Sequence, residues 1–147
     1  MKLLIIILVL LSFIQTTILP LDLVLVILLL RSYIKPERTN LTLAFFLGIL
    51  IAQLMSQPPG LYCTLYLILV ELTSILASLP LRKNLIFAGA SLIVFLLLEK
   101  IVLAKFTGAT PYFWSVVFEM VFALLSYFVL KLWEERFVVR SEIKLRL

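Results

Sequence analysis

The sequence predicts an all-α polytopic integral membrane protein, with six transmembrane helices in one compact bundle. Three observations predict it. Hydrophobic residues make up 64% of the 147-residue chain and charged residues only 14%, against about 45–50% and about 25% in soluble domains. The apolar residues lie in long continuous runs, not in the alternation of an outer-membrane barrel. The basic residues sort into alternate breaks between those runs, as the positive-inside rule requires. A chain this small has too little interior to hide so much apolar side chain from water. Mean hydropathy is +1.22, which excludes a disordered polar chain as well.

The runs give spans at approximately 3–19, 21–34, 41–56, 61–80, 85–105 and 112–132 of one membrane domain, 1–147, with a short tail over 133–147. Met1-Lys2 and Leu3–Leu11 are similar to the start of a signal peptide, but Ser12–Asp22 lacks a small-x-small cleavage site, so this stretch is expected to stay as the first span. Residues 3–34 would make one helix of about 48 Å, too long for a single crossing. With Lys2 before the stretch and Arg31, Lys35 and Arg38 after it, two short crossings turning at Pro20 keep both basic ends on one side. Further breaks fall at Lys35–Asn40, Gln57–Gly60, Leu81–Asn84 and Thr107–Pro111. Asn40 and Asn84 are expected to cap spans three and five, and Thr110-Pro111 to cap span six. Eleven of the 13 basic residues then lie on the cytoplasmic side, with both ends of the chain there. Tyr62, Tyr66, Tyr112 and Trp114 would form an outer aromatic belt, with Tyr33 and Trp133 at the inner interface.

The residue inventory removes most catalytic chemistry. The chain has no His, one Cys (Cys63) and one Asp (Asp22). That excludes a His-built metal or haem site, a Ser-His-Asp triad and a paired-aspartate protease. The four glycines (Gly48, Gly60, Gly89, Gly108) are too scattered for a phosphate loop. No cofactor is expected, and Cys63 reads as a small packing residue.

Four charged residues, Glu71, Glu99, Lys100 and Glu119, fall inside spans four to six, where each costs at least about 2.5–3.5 kcal/mol if it faces lipid. They are expected to form an intramembrane polar cluster. Either they build a polar cavity or proton path, or they tie helices together, with Lys100 and Glu119 paired at a shared depth of about 10 Å. Ser115, Glu119, Ala123 and Ser126 share one face of span six, and Thr64, Glu71, Ser74 and Ser78 one face of span four. Ala44, Gly48, Ala52 and Ser56 make a small-residue stripe on span three, a candidate contact face for another helix. Pro20, Asp22, Pro58 and Gly60 are candidate turn or cap residues. Asp22 either caps span two against the helix dipole or meets a partner directly. The tail either lies on anionic lipid, binds a partner or frays.

Four stretches resemble the bacterial rod-shape-determining MreD family: Gln15-Thr16-Thr17-Ile18-Leu19-Pro20, Pro20-Leu21-Asp22-Leu23-Val24-Leu25, Phe46-Leu47-Gly48-Ile49-Leu50 and Pro58-Pro59-Gly60-Leu61-Tyr62. The family's aspartate after the Gly-Leu-Leu run is replaced here by Ala52, with Gln53 beside it, and Leu21 is inserted before Asp22. The resemblance implies a non-enzymatic inner-membrane scaffold of the cell-wall elongation complex that maintains rod shape. It implies partnership with a bitopic MreC-like protein, with RodA and its transpeptidase, and indirectly with the MreB filament. No nucleic-acid partner is expected. It also implies a fold similar to the substrate-binding component of energy-coupling-factor vitamin transporters.

Two other functions compete. A solute-binding transporter component would line its pocket with the acids of spans four to six. Residues 1–20 contain no Ala or Gly, which disfavours the close helix approach that such components use in span one. A lipid-modifying enzyme would have only Glu71, Glu99 and Glu119 for acid–base work. The first three spans are shorter than about 20 residues, so the bilayer is expected to thin there or a partner helix to cover them.

Overall fold

The computed structural model describes residues 2–18, 21–79, 85–108, 110 and 113–133. The turn at Pro20, the 81–84 break with Asn84, Pro111, Tyr112 and the tail beyond residue 133 lie outside the described residues. The chain is all-helical. Its elements are α1 (Lys2–Thr17), α2 (Leu23–Ile34), α3 (Arg38–Leu54), α4 (Pro59–Ser78), α5 (Leu85–Thr107) and α6 (Trp114–Trp133). Among these, α4, α5 and α6 are long and apolar enough to cross a membrane, while α1 to α3 are shorter apolar helices.

The shortest helix is the hub. The 12 residues of α2 span roughly 18 Å, well under the ~30 Å of a hydrocarbon core. Ten of them are buried, and α2 touches each of the other helices. A helix apolar on every side belongs inside a bundle, and the run from Leu23 to Leu30 meets that condition. Its shortness is therefore absorbed by protein on all sides. The shorter first half that the sequence predicts is present, since α1 to α3 are all shorter than α4 to α6.

On one flank, α3 and α4 form the most closely packed pair. A Cβ placed on Gly48 would sit 2.8 Å from Cys63 Cα, so the two backbones meet where neither residue has bulk to separate them. Ala44 and Ala52 are fully buried on either side of that crossing. The helix that the small-residue stripe admits is α4, and the first three members of the stripe are taken up inside the bundle, so they offer no face to a separate partner. Ser56 is not among them. It is exposed beyond the end of α3 at φ 53°, where Gln57 N–H donates to Ala52 O and Ser56 N–H to Gln53 O. That is a Schellman closure with serine in the left-handed position.

The other starts differ from the expected caps. Glu37, not Asn40, precedes the first turn of α3. Asn40 is buried and its Nδ2 donates back to Lys35 O at 2.8 Å, tying the loop after α2. Thr110 stands too far before Trp114 to cap α6. Pro58 and Pro59 do open α4, because proline loses nothing where the N–H has no helical partner. Gly60 lies exposed in its first turn.

The outward surface is aliphatic and aromatic: Ile6, Leu10 and Phe13 on α1, Ile86 and Phe106 on α5, Trp114 and Leu125 on α6. Such a surface fits a bilayer rather than water. Tyr66 is fully buried and Tyr62 and Tyr33 nearly so, so none of the three belongs to an interfacial aromatic belt.

Candidate functional site

Helix α2 begins below the ends of its neighbours, and a helix that begins inside a bundle exposes amide N–H groups with no partner. In an apolar surrounding each one left unpaired costs several kcal/mol. Two side chains from other helices meet this need. The Val24 N–H donates to Gln15 Oε1 of α1 at 3.0 Å. The Asp22 N–H donates to Glu119 Oε1 of α6 at 3.0 Å. A carboxylate at this position also meets the positive end of the α2 dipole.

Lys100 of α5 completes the arrangement. Its Nζ donates to Asp22 Oδ2 and lies 3.0 Å from Glu119 Oε1, with Glu99 Oε2 at 3.9 Å. Lys100 sits seven residues before the end of α5 and Glu119 five after the start of α6, about 10 Å and 8 Å along their axes. The two helices run past each other at that level, and the start of α2 lies between them. Glu99 and Glu119 have no exposure to solvent.

The cluster therefore joins Asp22, Glu99, Lys100 and Glu119. Asp22 occupies the N-cap position but makes no side-chain cap bond. The expected cap is corrected: its carboxylate turns to Lys100, because an ammonium in a dry interior is a stronger partner than an amide. Glu71 does not join. It is exposed on the outward face of α4 beside Leu41, Leu67, Ile68 and Leu72. The expected polar face of span four turns out likewise: Thr64, Glu71 and Ser78 point outward. Only Ser74 reaches a neighbour, 2.6 Å from the buried Ser32 hydroxyl, which also donates to Val70 O. On α6, Ser115, Glu119 and Ala123 are buried together, with Ser126 half-buried.

Two members were not anticipated. Gln15 was visible as a polar break in an apolar run, but its distance from Val24 depends on the turn between α1 and α2. The Tyr66 hydroxyl is buried beside Asp22, Glu99 and Gln15, and one tyrosine among five carried no signal of its own.

Three carboxylates face one ammonium here. Taking an ion out of water costs several kcal/mol, recovered only through close partners. Glu119 and Asp22 have such partners. Glu99 has neither oxygen within hydrogen-bond distance of a donor. The site is closed, and among the described residues no group of three acids or cysteines is arranged to hold a metal ion. A crevice of about 330 Å³ between α5 and α6 is lined by none of these acids.

These features define an all-helical bundle of membrane type, locked by a buried ion cluster at the start of its central helix. The chain matches no family model, no curated protein and no solved structure.

Proposed function

We propose that the chain is a non-enzymatic scaffold of a bacterial inner membrane, crossing it six times with both ends of this chain in the cytoplasm. It organises cell-wall elongation by holding a bitopic MreC-like partner, and through it RodA, its transpeptidase and the MreB filament. One observation carries this reading. The polar residues that carry the MreD resemblance, Gln15 and Asp22, are consumed at the start of α2, and Gly48 of the same resemblance is consumed at the α3–α4 crossing. A transporter component or an enzyme would turn its polar groups toward an open cavity, and here the clustered acids Asp22, Glu99 and Glu119 line neither the crevice between α5 and α6 nor the depression beside Glu71. A chain so built acts through its outward faces and turns, among which the Pro58–Gly60 turn is exposed.

The test is affinity recovery of partners from detergent-solubilised bacterial membranes. Wild-type chain is expected to bring down a coiled-coil protein with a single membrane span. A Cβ at Gly60 meets nothing within 4 Å, so Gly60→Trp leaves the bundle intact and is expected to reduce recovery. Recovery of no bitopic protein would overturn the reading, and unchanged recovery with Gly60→Trp would remove the turn as the contact.

A further inference from the structure

We propose that the crevice between α5 and α6 is a binding site for one acyl chain of an anionic phospholipid, with Lys131 at its headgroup. The crevice has a volume of about 330 Å³, and its walls come from α2, α4, α5 and α6, including Leu30, Tyr33, Phe95, Met120 and Tyr127. It exists because the residues facing it are small. Ala88, Gly89 and Ser91 of α5 stand opposite Ala123 of α6, and a Cβ added at Gly89 would meet nothing within 4 Å. The rim residues Ile86, Leu124 and Phe128 are all more than half exposed, so the opening is sideways between the helices.

The walls are apolar, and an apolar cavity stays empty of water. The occupant is therefore apolar and enters from the side, as a lipid chain does. An α-helix with its side chains is about 10–12 Å wide, so the volume would admit less than one turn of it. A partner helix can lie across the mouth but cannot fill the space.

Charge sets the headgroup. The lining residues come from the last half of α2, the first half of α5 and the stretch of α6 from Met120 to Phe128. The crevice thus extends from Met120, beside the cluster residue Glu119, toward the end of the bundle where Arg31, Lys35 and Arg38 occur. Lys131 is exposed one turn beyond Tyr127 on the same face of α6. Its ammonium stands at the level where a phosphate would emerge from the crevice, and a basic side chain at a membrane surface favours anionic lipid.

The test is native mass spectrometry of the full chain in detergent, given equal amounts of phosphatidylglycerol and phosphatidylcholine. Wild-type chain is expected to retain one phospholipid, with phosphatidylglycerol preferred. Gly89→Phe fills the crevice and is expected to abolish retention while helical circular dichroism is unchanged. Ala88→Phe serves as an independent plug should Gly89→Phe fail to fold. Lys131→Gln is expected to keep the adduct and weaken the phosphatidylglycerol preference about five-fold. Equal retention in the plugged variants, or no retained lipid in the wild type, would overturn the site, the latter leaving the face to a protein helix. A preference unaltered by Lys131→Gln would overturn the headgroup assignment.

Discussion

Lys100 and Asp22, 78 residues apart in the chain, form an ion pair that fastens α5 to the first residue before α2. Helix α5 otherwise packs against its neighbours over short stretches, so this pair and the adjoining Glu119 contact hold it in place.

Removing the ammonium should therefore be costly. Lys100→Met leaves three buried carboxylates without a counter-charge and is expected to lower stability by about 3–5 kcal/mol. Glu99→Gln should behave oppositely, because it deletes the carboxylate that has no close donor, and stability should hold or rise. A double-mutant cycle on Lys100 and Glu119 is expected to give a coupling of about 0.5–3 kcal/mol. Denaturant unfolding in mixed micelles measures all three. Equal losses for Glu99→Gln and Glu119→Gln would contradict the unequal roles assigned here.

The glycines of α3 and α5 should respond with opposite signs. Gly48→Ala pushes a methyl group to 2.8 Å from Cys63 Cα, against backbone that cannot swing aside, and is expected to cost about 1–3 kcal/mol. Gly89→Ala enters open space and should gain about 0.5–1 kcal/mol from helix propensity. Parallel thermal melts in one detergent read the difference. Gly48→Leu, which would otherwise look like a probe of partner binding, is expected to fail in folding first.

At the end of α3, Ser56 holds a left-handed conformation at φ 53° that costs a residue with a Cβ about 1–2 kcal/mol. Ser56→Gly relieves that cost but frees the unfolded chain, which returns part of it. A net gain below about 1 kcal/mol is expected, visible as a raised melting temperature. A lowered one would mean that the Schellman closure does not form.

Between α2 and α3, Lys35 donates to Glu37 at 2.8 Å and holds its carboxyl below the usual range, helped by Thr39 and Arg31. A lowered folded value means that the contribution is complete above the ordinary value of 4.5 and disappears as pH falls through the folded value. The melting-temperature gap between wild type and Glu37→Gln should be small, constant at neutral pH, and should close below that range. A gap that widens on acidification would reverse the sign argued here.

Much of the chain can be read without its fold. The long apolar runs specify six helices, and the spacing of Lys100 and Glu119 from the adjacent breaks puts them at one depth. Pro58 and Pro59 mark the start of α4. These are local properties, set by hydropathy and by the 1.5 Å rise of a helix.

The facing of each helix is not local, and it was decided by tertiary structure alone. In water an amphipathic stripe shows which side turns inward, but lipid and protein core are equally apolar, so periodicity loses that meaning in a bilayer. Thus Glu71 and Glu119 look alike in sequence, yet one faces outward and the other is sealed against Lys100. Ala44, Gly48 and Ala52 read equally well as an outer or an inner stripe until Cys63 is seen against them. Asp22 and Gln15 stand where caps and breaks are expected, and only the packing of α1, α5 and α6 around the short α2 turns them into its partners.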